Sequence, residues 1–105
     1  MGPLQGVKVV EMAGIGPISF AGMLLADLGA EVTQVQRPGG GAWPPSPVLD
    51  RGRTVREVDL KSAEGHEQVL QLVARSEVLI EGFRPGVMER LGLGPDECLE
   101  RNPAL

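Results

Sequence analysis

Apolar positions fall along this chain in short blocks, and each block has its own period. Val7–Glu11 (VKVVE) is a β-branched run of the kind that forms a buried parallel strand. Gly14–Pro17 follows as a loop, and Pro17 suits the first turn of a helix. Phe20, Met23, Leu24, Leu25 and Leu28 then recur at the spacing of a helix's apolar face, and Gly29 marks its C-terminal end. Glu31–Val35 reads as a second strand. Strand, loop, helix and strand in that order imply a parallel pair joined by a right-handed crossover.

The stretch PGGGAWPPSP at 38–47 is a loop, and the whole connection is expected to span 38–54. Val55–Leu60 is a third strand, half exposed because it carries Arg56 and Glu57. Ser62 has the chemistry of an N-cap, and Val69, Leu70, Leu72 and Val73 supply an apolar face to the helix after it. Glu77–Ile80 is a fourth strand, Glu81–Pro85 a turn, Gly86–Leu91 a short helix stopped by Gly92, and Pro95–Glu100 the start of another helix. No internal repeat is present. The alternation predicts an α/β fold, a Rossmann-like parallel sheet with flanking helices. A further strand would usually follow RNPAL, so residues 1–105 read as the N-terminal part of a larger domain.

Composition narrows this picture. The 105 residues make one small domain, 42% hydrophobic but only 3% aromatic, so the core must be aliphatic. The net charge of −4 argues against nucleic acid as a partner, because phosphate backbones are held by basic surfaces. The single cysteine, Cys98, excludes a disulfide within the chain and fits a reducing compartment. No apolar run approaches the roughly 20 residues that span a membrane, and the start lacks a signal-peptide pattern. The expectation is a cytoplasmic protein with no membrane partner.

Candidate chemistry concentrates where the strands end. The loop Gly14–Pro17 turns backbone N–H groups toward a helix N-terminus, which favours an anion or a polar carbonyl; equally, its glycines serve a tight turn. Gly14 and Gly16 begin a G-x-G-x-x-G pattern, but Ser19 stands where the third glycine belongs. This departure disfavours an NADP-dependent oxidoreductase, a reading that only the loop and Arg37 suggest. Arg37 directly follows the second strand and fits either a phosphorylated ribose or a solvated surface. Lys61 ends the third strand's segment, and Gly82-Phe83-Arg84-Pro85 follows the fourth. Ligands of open α/β sheets bind outside the carboxyl ends of the strands. Three cations at that one edge of an acidic chain say more than any one of them. His66, beside Glu64 and Glu67, reads as a solvent-exposed surface histidine. Cys98 lies near a helix start, which lowers a thiol's pKa, but a buried thiol is the simpler reading. No metal-ligand spacing, catalytic triad or carboxylate pair is evident.

Seven stretches together resemble the family III CoA-transferases. They are GVKVVEMAGIGP, FAGMLLADLGAEV, QRPGG, RGR, VDLK, VLIEGFRPGVMERLGLGP and RNP, in order over nearly the whole chain. The form RPGVMERLGLGP and the short connection from Arg37 to Arg51 are more similar to the α-methylacyl-CoA racemase branch than to the oxalate or carnitine transferases. The resemblance implies a Rossmann-like fold that binds coenzyme A, not a dinucleotide. By motif, Arg37 would contact the adenosine-phosphate end, and Val58, Asp59, Leu60 and Lys61 would line the nucleotide site. Gly82, Phe83 and Arg84 would hold the ligand, and Arg90 would pair with a phosphate. It implies an enzyme that epimerises 2-methyl-branched acyl-CoA thioesters by removing and returning the α-proton, with coenzyme A as part of the substrate and no further cofactor. The alternatives are a CoA-transferase acting between carboxylic acids and a non-catalytic CoA-binding module. The family's catalytic His and Asp, and the transferases' Asp nucleophile, lie beyond position 105, and His66 matches none of them; no catalytic residue is expected in this chain. The family forms interlocked homodimers. Ile18-Ser19 departs from the family's Gly-Pro beside the expected acyl site, and Val55-Arg56-Glu57 replaces a more apolar stretch.

Overall fold

A computed structural model describes residues 2–14, 16–39 and 46–105. Four strands and four helices follow one another as β1 (Lys8–Met12), α1 (Pro17–Asp27), β2 (Glu31–Gln36), β3 (Arg53–Glu57), α2 (Ala63–Ala74), β4 (Val78–Ile80), α3 (Val87–Arg90) and α4 (Pro95–Arg101). The strands form one parallel sheet in the order β3-β2-β1-β4. Val9 pairs with Val32 on one side and Val78 on the other, so β1 is enclosed by its neighbours.

Alternation within the strands divides the core into two layers. Val10, Met12, Val35 and Val58 pack with Val69, Leu70, Leu72 and Val73 of α2 and with Met88, Leu93 and Cys98. Val9, Ala30 and Val32 face the opposite way, against Leu25 and Ala26 of α1. Burying a side chain of this size contributes roughly 1.5–3 kcal/mol, so the aliphatic core expected from the composition is concentrated on the α2 face.

The α2 helix starts as its sequence predicts: the Ser62 hydroxyl accepts from the Gly65 N–H at 2.9 Å. At its other end Asn102 does what a helix cannot do for itself. Its side-chain amide donates to the carbonyls of Val73 and Ser76, at 2.9 and 2.7 Å, satisfying acceptors left open where α2 stops. Gly29 takes φ 103° just past α1, the left-handed ending expected of it.

Three expectations are corrected. The third strand is Arg53–Glu57 rather than Val55–Leu60, and all its residues except Arg53 are exposed, because it lies at the sheet's edge. One further rung, Val58 N–H to the Gln36 carbonyl, ends the pairing. Asp59 then turns the chain: its carboxylate accepts from the Lys61 N–H and its carbonyl from the Ser62 hydroxyl. The connection is accordingly shorter than 38–54, with Arg53 and Thr54 inside β3; its residues 40–45 lie outside the described residues. Finally, the face of α1 is only partly the expected one. Met23 is buried and Leu25 packs on the core, but Phe20, Leu24 and Leu28 are exposed, while Ile18, Ser19 and Gly22 are buried. The reason lies beneath the helix, in a buried ion pair.

Candidate functional site

Glu11 continues the parity of Val9 and so points under α1. It is fully buried, and the Arg53 side chain facing it is 1% exposed. Arg53 Nε donates to Glu11 Oε1 at 2.8 Å, and Gln34 Nε2 donates to Glu11 Oε2 at 2.8 Å. The remaining Arg53 donors reach the carbonyls of Ser19, Leu49 and Arg51. Every hydrogen-bonding demand of this charge pair is met by three strands, α1 and the segment before β3. Only a glycine fits above it: a Cβ on Gly22 would lie 2.7 Å from Glu11 Cδ and 2.9 Å from Arg53 Nη2. This network was missed in the sequence, where Arg53 stands only within the stretch RGR.

The cations at the carboxyl edge are of a different kind. Arg37 follows β2, Lys61 follows β3, and Arg84 follows β4; all three are exposed. Arg90 is exposed as well and folds back along α3 toward its N-cap, where a Cβ on Gly86 would lie 3.5 Å from Arg90 Nη1. Among the described residues no carboxylate lies within ion-pair distance of these four. Arg51 and Arg101, by contrast, are held by Asp27 at 2.6 Å and Glu67 at 2.9 Å. Hydrogen bonds from these arginines hold the two carboxyls below the usual carboxylate range. The edge therefore offers unneutralised positive charge on three of four strand ends.

The other residues singled out in the sequence flank that edge. Val58 is 3% exposed and belongs to the core, so its backbone alone can meet a ligand. Asp59 is exposed but engaged in the turn into α2, and Leu60 packs partly on the core. Gly82 is exposed; Phe83 is half buried and its N–H donates to the Glu81 carboxylate at 2.8 Å. Gly14 and Ser19 are drawn together where β1 ends, the serine hydroxyl donating to the Gly14 carbonyl at 3.0 Å.

His66 and Cys98 do not join the site. His66 is not simply solvent-exposed, as expected: its ring is half buried and Nε2 lies 2.7 Å from the Gly92 carbonyl, tying α2 to the turn between α3 and α4. Cys98 is fully buried, with Sγ 3.4 Å from the Leu93 carbonyl, and burial raises its pKa; the helix start does not activate it. A cavity of about 450 Å³ opens beside β4 among Leu79, Met88, Leu93 and Cys98, away from Arg37 and Lys61. Among the described residues no three His, Cys, Asp or Glu side chains gather as a metal would require, and no helix is long and apolar enough to cross a membrane.

A parallel sheet covered by α1 on one face and α2 on the other, with exposed loops at its carboxyl ends, defines a Rossmann-like α/β unit. Residues 4–105 match CoA-transferase family III, and the chain belongs to that family. It is 47% identical to the α-methylacyl-CoA racemase of Mus musculus over 97% of its own length and 26% of the racemase. It is 41% identical to a probable fatty acyl-CoA transferase of Mycobacterium tuberculosis, over 98% of this chain and 30% of that protein. A crystal structure of a Mycobacterium tuberculosis protein superposes with a TM-score of 0.93 at 41% identity, covering 100% of this chain and 31% of that one. A CaiB/BaiF family protein from Brucella suis gives 0.87 at 33% identity, over 96% of this chain and 31% of that one. The chain thus spans a quarter to a third of the length of these relatives.

Proposed function

We propose that this chain is the coenzyme A-binding part of an α-methylacyl-CoA racemase-like isomerase. The observation that carries the reading is the set of exposed cations Arg37, Lys61 and Arg84 after three strands, with Arg90 on α3, none of them paired with a carboxylate among the described residues of an otherwise acidic chain. Coenzyme A carries a ribose phosphate and a pyrophosphate, and arginine is suited to both because its planar fork meets two oxygens at once. Arg37 and Lys61, after adjacent strands, take the adenosine-phosphate end, with the backbone of Val58 and the exposed Asp59 beside them. Gly82, Phe83 and Arg84 hold the ligand where β4 ends, and Arg90 adds charge from α3.

The reaction would move the α-proton of a 2-methylacyl-CoA thioester from one face to the other, through an enolate that the thioester carbonyl makes accessible. The C–H electron pair stays with the substrate as the enolate and is reprotonated, so no oxidation state changes and the reaction calls for no redox cofactor. The acid and base belong to chain beyond position 105, and a homodimer of the whole protein is part of the same reading. The likeness to a probable fatty acyl-CoA transferase favours a second reading, transfer of CoA between carboxylic acids, which would use the same nucleotide site.

Calorimetric titration with coenzyme A tests the shared element. Micromolar binding that Arg84→Ala weakens tenfold, about 1.4 kcal/mol, is the expected result. A folded chain whose affinity is unchanged by removing Arg84 would refute the assignment of that residue.

A further inference from the structure

Gly14 lies two residues past β1 and Gly82 two residues past β4, so the two glycines face each other across the crevice where those adjacent strands end. The strand order reverses at this point, since β1 leads to β2 on one side while β4 lies on the other. A reversal of this kind is where open α/β sheets leave room for a ligand. Here the room is taken. The Ile18 side chain, 8% exposed, reaches from the first turn of α1 into the crevice. A Cβ on Gly14 would stand 3.0 Å from Ile18 Cγ2, and one on Gly82 would stand 3.4 Å from Ile18 Cβ. A methyl group at Gly14 would press on the Ile18 side chain, and one at Gly82 would make close contact with it.

Charge is distributed unevenly about the crevice. Arg37 and Lys61 follow β2 and β3, on the far side of β1. Strands are about 4.8 Å apart, so a ligand with its phosphates over β2 and β3 meets the β1–β4 crevice roughly 10 Å further along. The wall it meets there is Gly14, Ile18 and Gly82, which carry no polar side chain. We propose that Ile18 is a specificity-determining residue, a β-branched plug in the β1–β4 crevice that limits the bulk of the acyl group an acyl-CoA can present there. The proposal rests on the reading of the ligand as a CoA thioester.

The test is calorimetric titration of the 105-residue chain with coenzyme A, 2-methylpropanoyl-CoA and 2-phenylpropanoyl-CoA. The two thioesters share the α-methyl branch and differ in bulk. The wild-type chain should bind the smaller thioester more tightly. Ile18→Gly should narrow that preference about tenfold, the scale at which a pocket discriminates single carbon groups, and leave coenzyme A itself within twofold. Ile18→Val removes one methylene with little risk to folding and should move the ratio the same way by less; urea unfolding confirms that each variant is native. If all chains bind coenzyme A and neither variant shifts the ratio, the role of Ile18 is overturned while the CoA reading stands. If the folded wild-type chain binds none of the three, the CoA reading fails and the role of Ile18 fails with it.

Discussion

Replacing Arg53 by Met is the sharpest probe of what holds this sheet to α1. The substitution keeps much of the side chain's apolar stem and removes the guanidinium. Glu11 would then remain fully buried beneath Gly22, with only the Gln34 amide to meet its charge. Breaking a buried ion pair from one side costs about 3–5 kcal/mol, against a total stability of about 5–15 kcal/mol for a small domain. The part-buried carbonyls of Ser19 and Leu49 also lose a hydrogen bond from the guanidinium, which adds to the cost. Taking a urea m-value of about 1.5 kcal/mol per molar, the midpoint should fall by 2 M or more, at unchanged slope. Glu11→Leu should be costly for the mirrored reason. The double variant should recover part of the loss, with a coupling of about 1–3 kcal/mol, because no unpaired charge is left buried. Urea unfolding of the four proteins, followed by circular dichroism, measures the cycle. A loss below 1 kcal/mol for Arg53→Met, or additive single losses, would refute the claim that the pair is buried and coupled.

Gly22→Ala places a methyl group against the same carboxylate and should destabilise by at least 2 kcal/mol, the reverse of the usual helix gain from alanine; thermal unfolding reports it. Asn102→Ala leaves the Val73 and Ser76 carbonyls without their donor and should cost about 1–3 kcal/mol by urea unfolding, with hydrogen exchange rising at the C-terminal turn of α2. Burial raises the Cys98 pKa, so the unfolded thiol ionises first. Its contribution to stability is therefore complete below the ordinary thiol value of about 8.5 and is lost as pH rises through the folded value. Wild type should accordingly lose more stability than Cys98→Ala between pH 7.5 and 10, measured by urea midpoints.

The elements that could be read from the sequence are those whose burial matches their apolarity. β1 and β2 carry β-branched runs whose apolar residues lie in the core, β4 is a short apolar run half buried at the sheet's margin, and α2 combines a serine cap with an apolar face. β3 resisted because an edge strand has no inward pattern: RTVRE forms a strand only through its pairing with β2. The face of α1 was misread because a periodicity count ranks Phe20 and Leu24 above Ser19 and Gly22. A signal was available in Glu11, a charge on the same parity as Val9, with small residues spaced three apart in the next helix. That combination marks a polar group that the helix must approach closely. At the candidate site the placement of Arg37, Lys61 and Arg84 after three different strands was legible, because residues within a few positions of a parallel strand's end stay near its carboxyl edge. Their freedom from carboxylates was not, since Arg51 and Arg101 look the same in sequence and are paired. Ile18 stood out only as a departure from a pattern, and its place between two glycines required the fold.

The two margins of the sheet differ in a way that bears on assembly. β3 closes one side with exposed side chains that include Arg56 and Glu57, which repel and solvate an incoming strand. β4 closes the other with three uncharged residues, Val78–Ile80, half buried beside a cavity whose lining combines Met88, Leu93 and Leu99 with Glu77, Glu81 and Glu89. A further strand, from whatever molecule supplies it, therefore meets uncharged side chains only along β4. Growth of this sheet therefore has a direction, set by the three residues of β4.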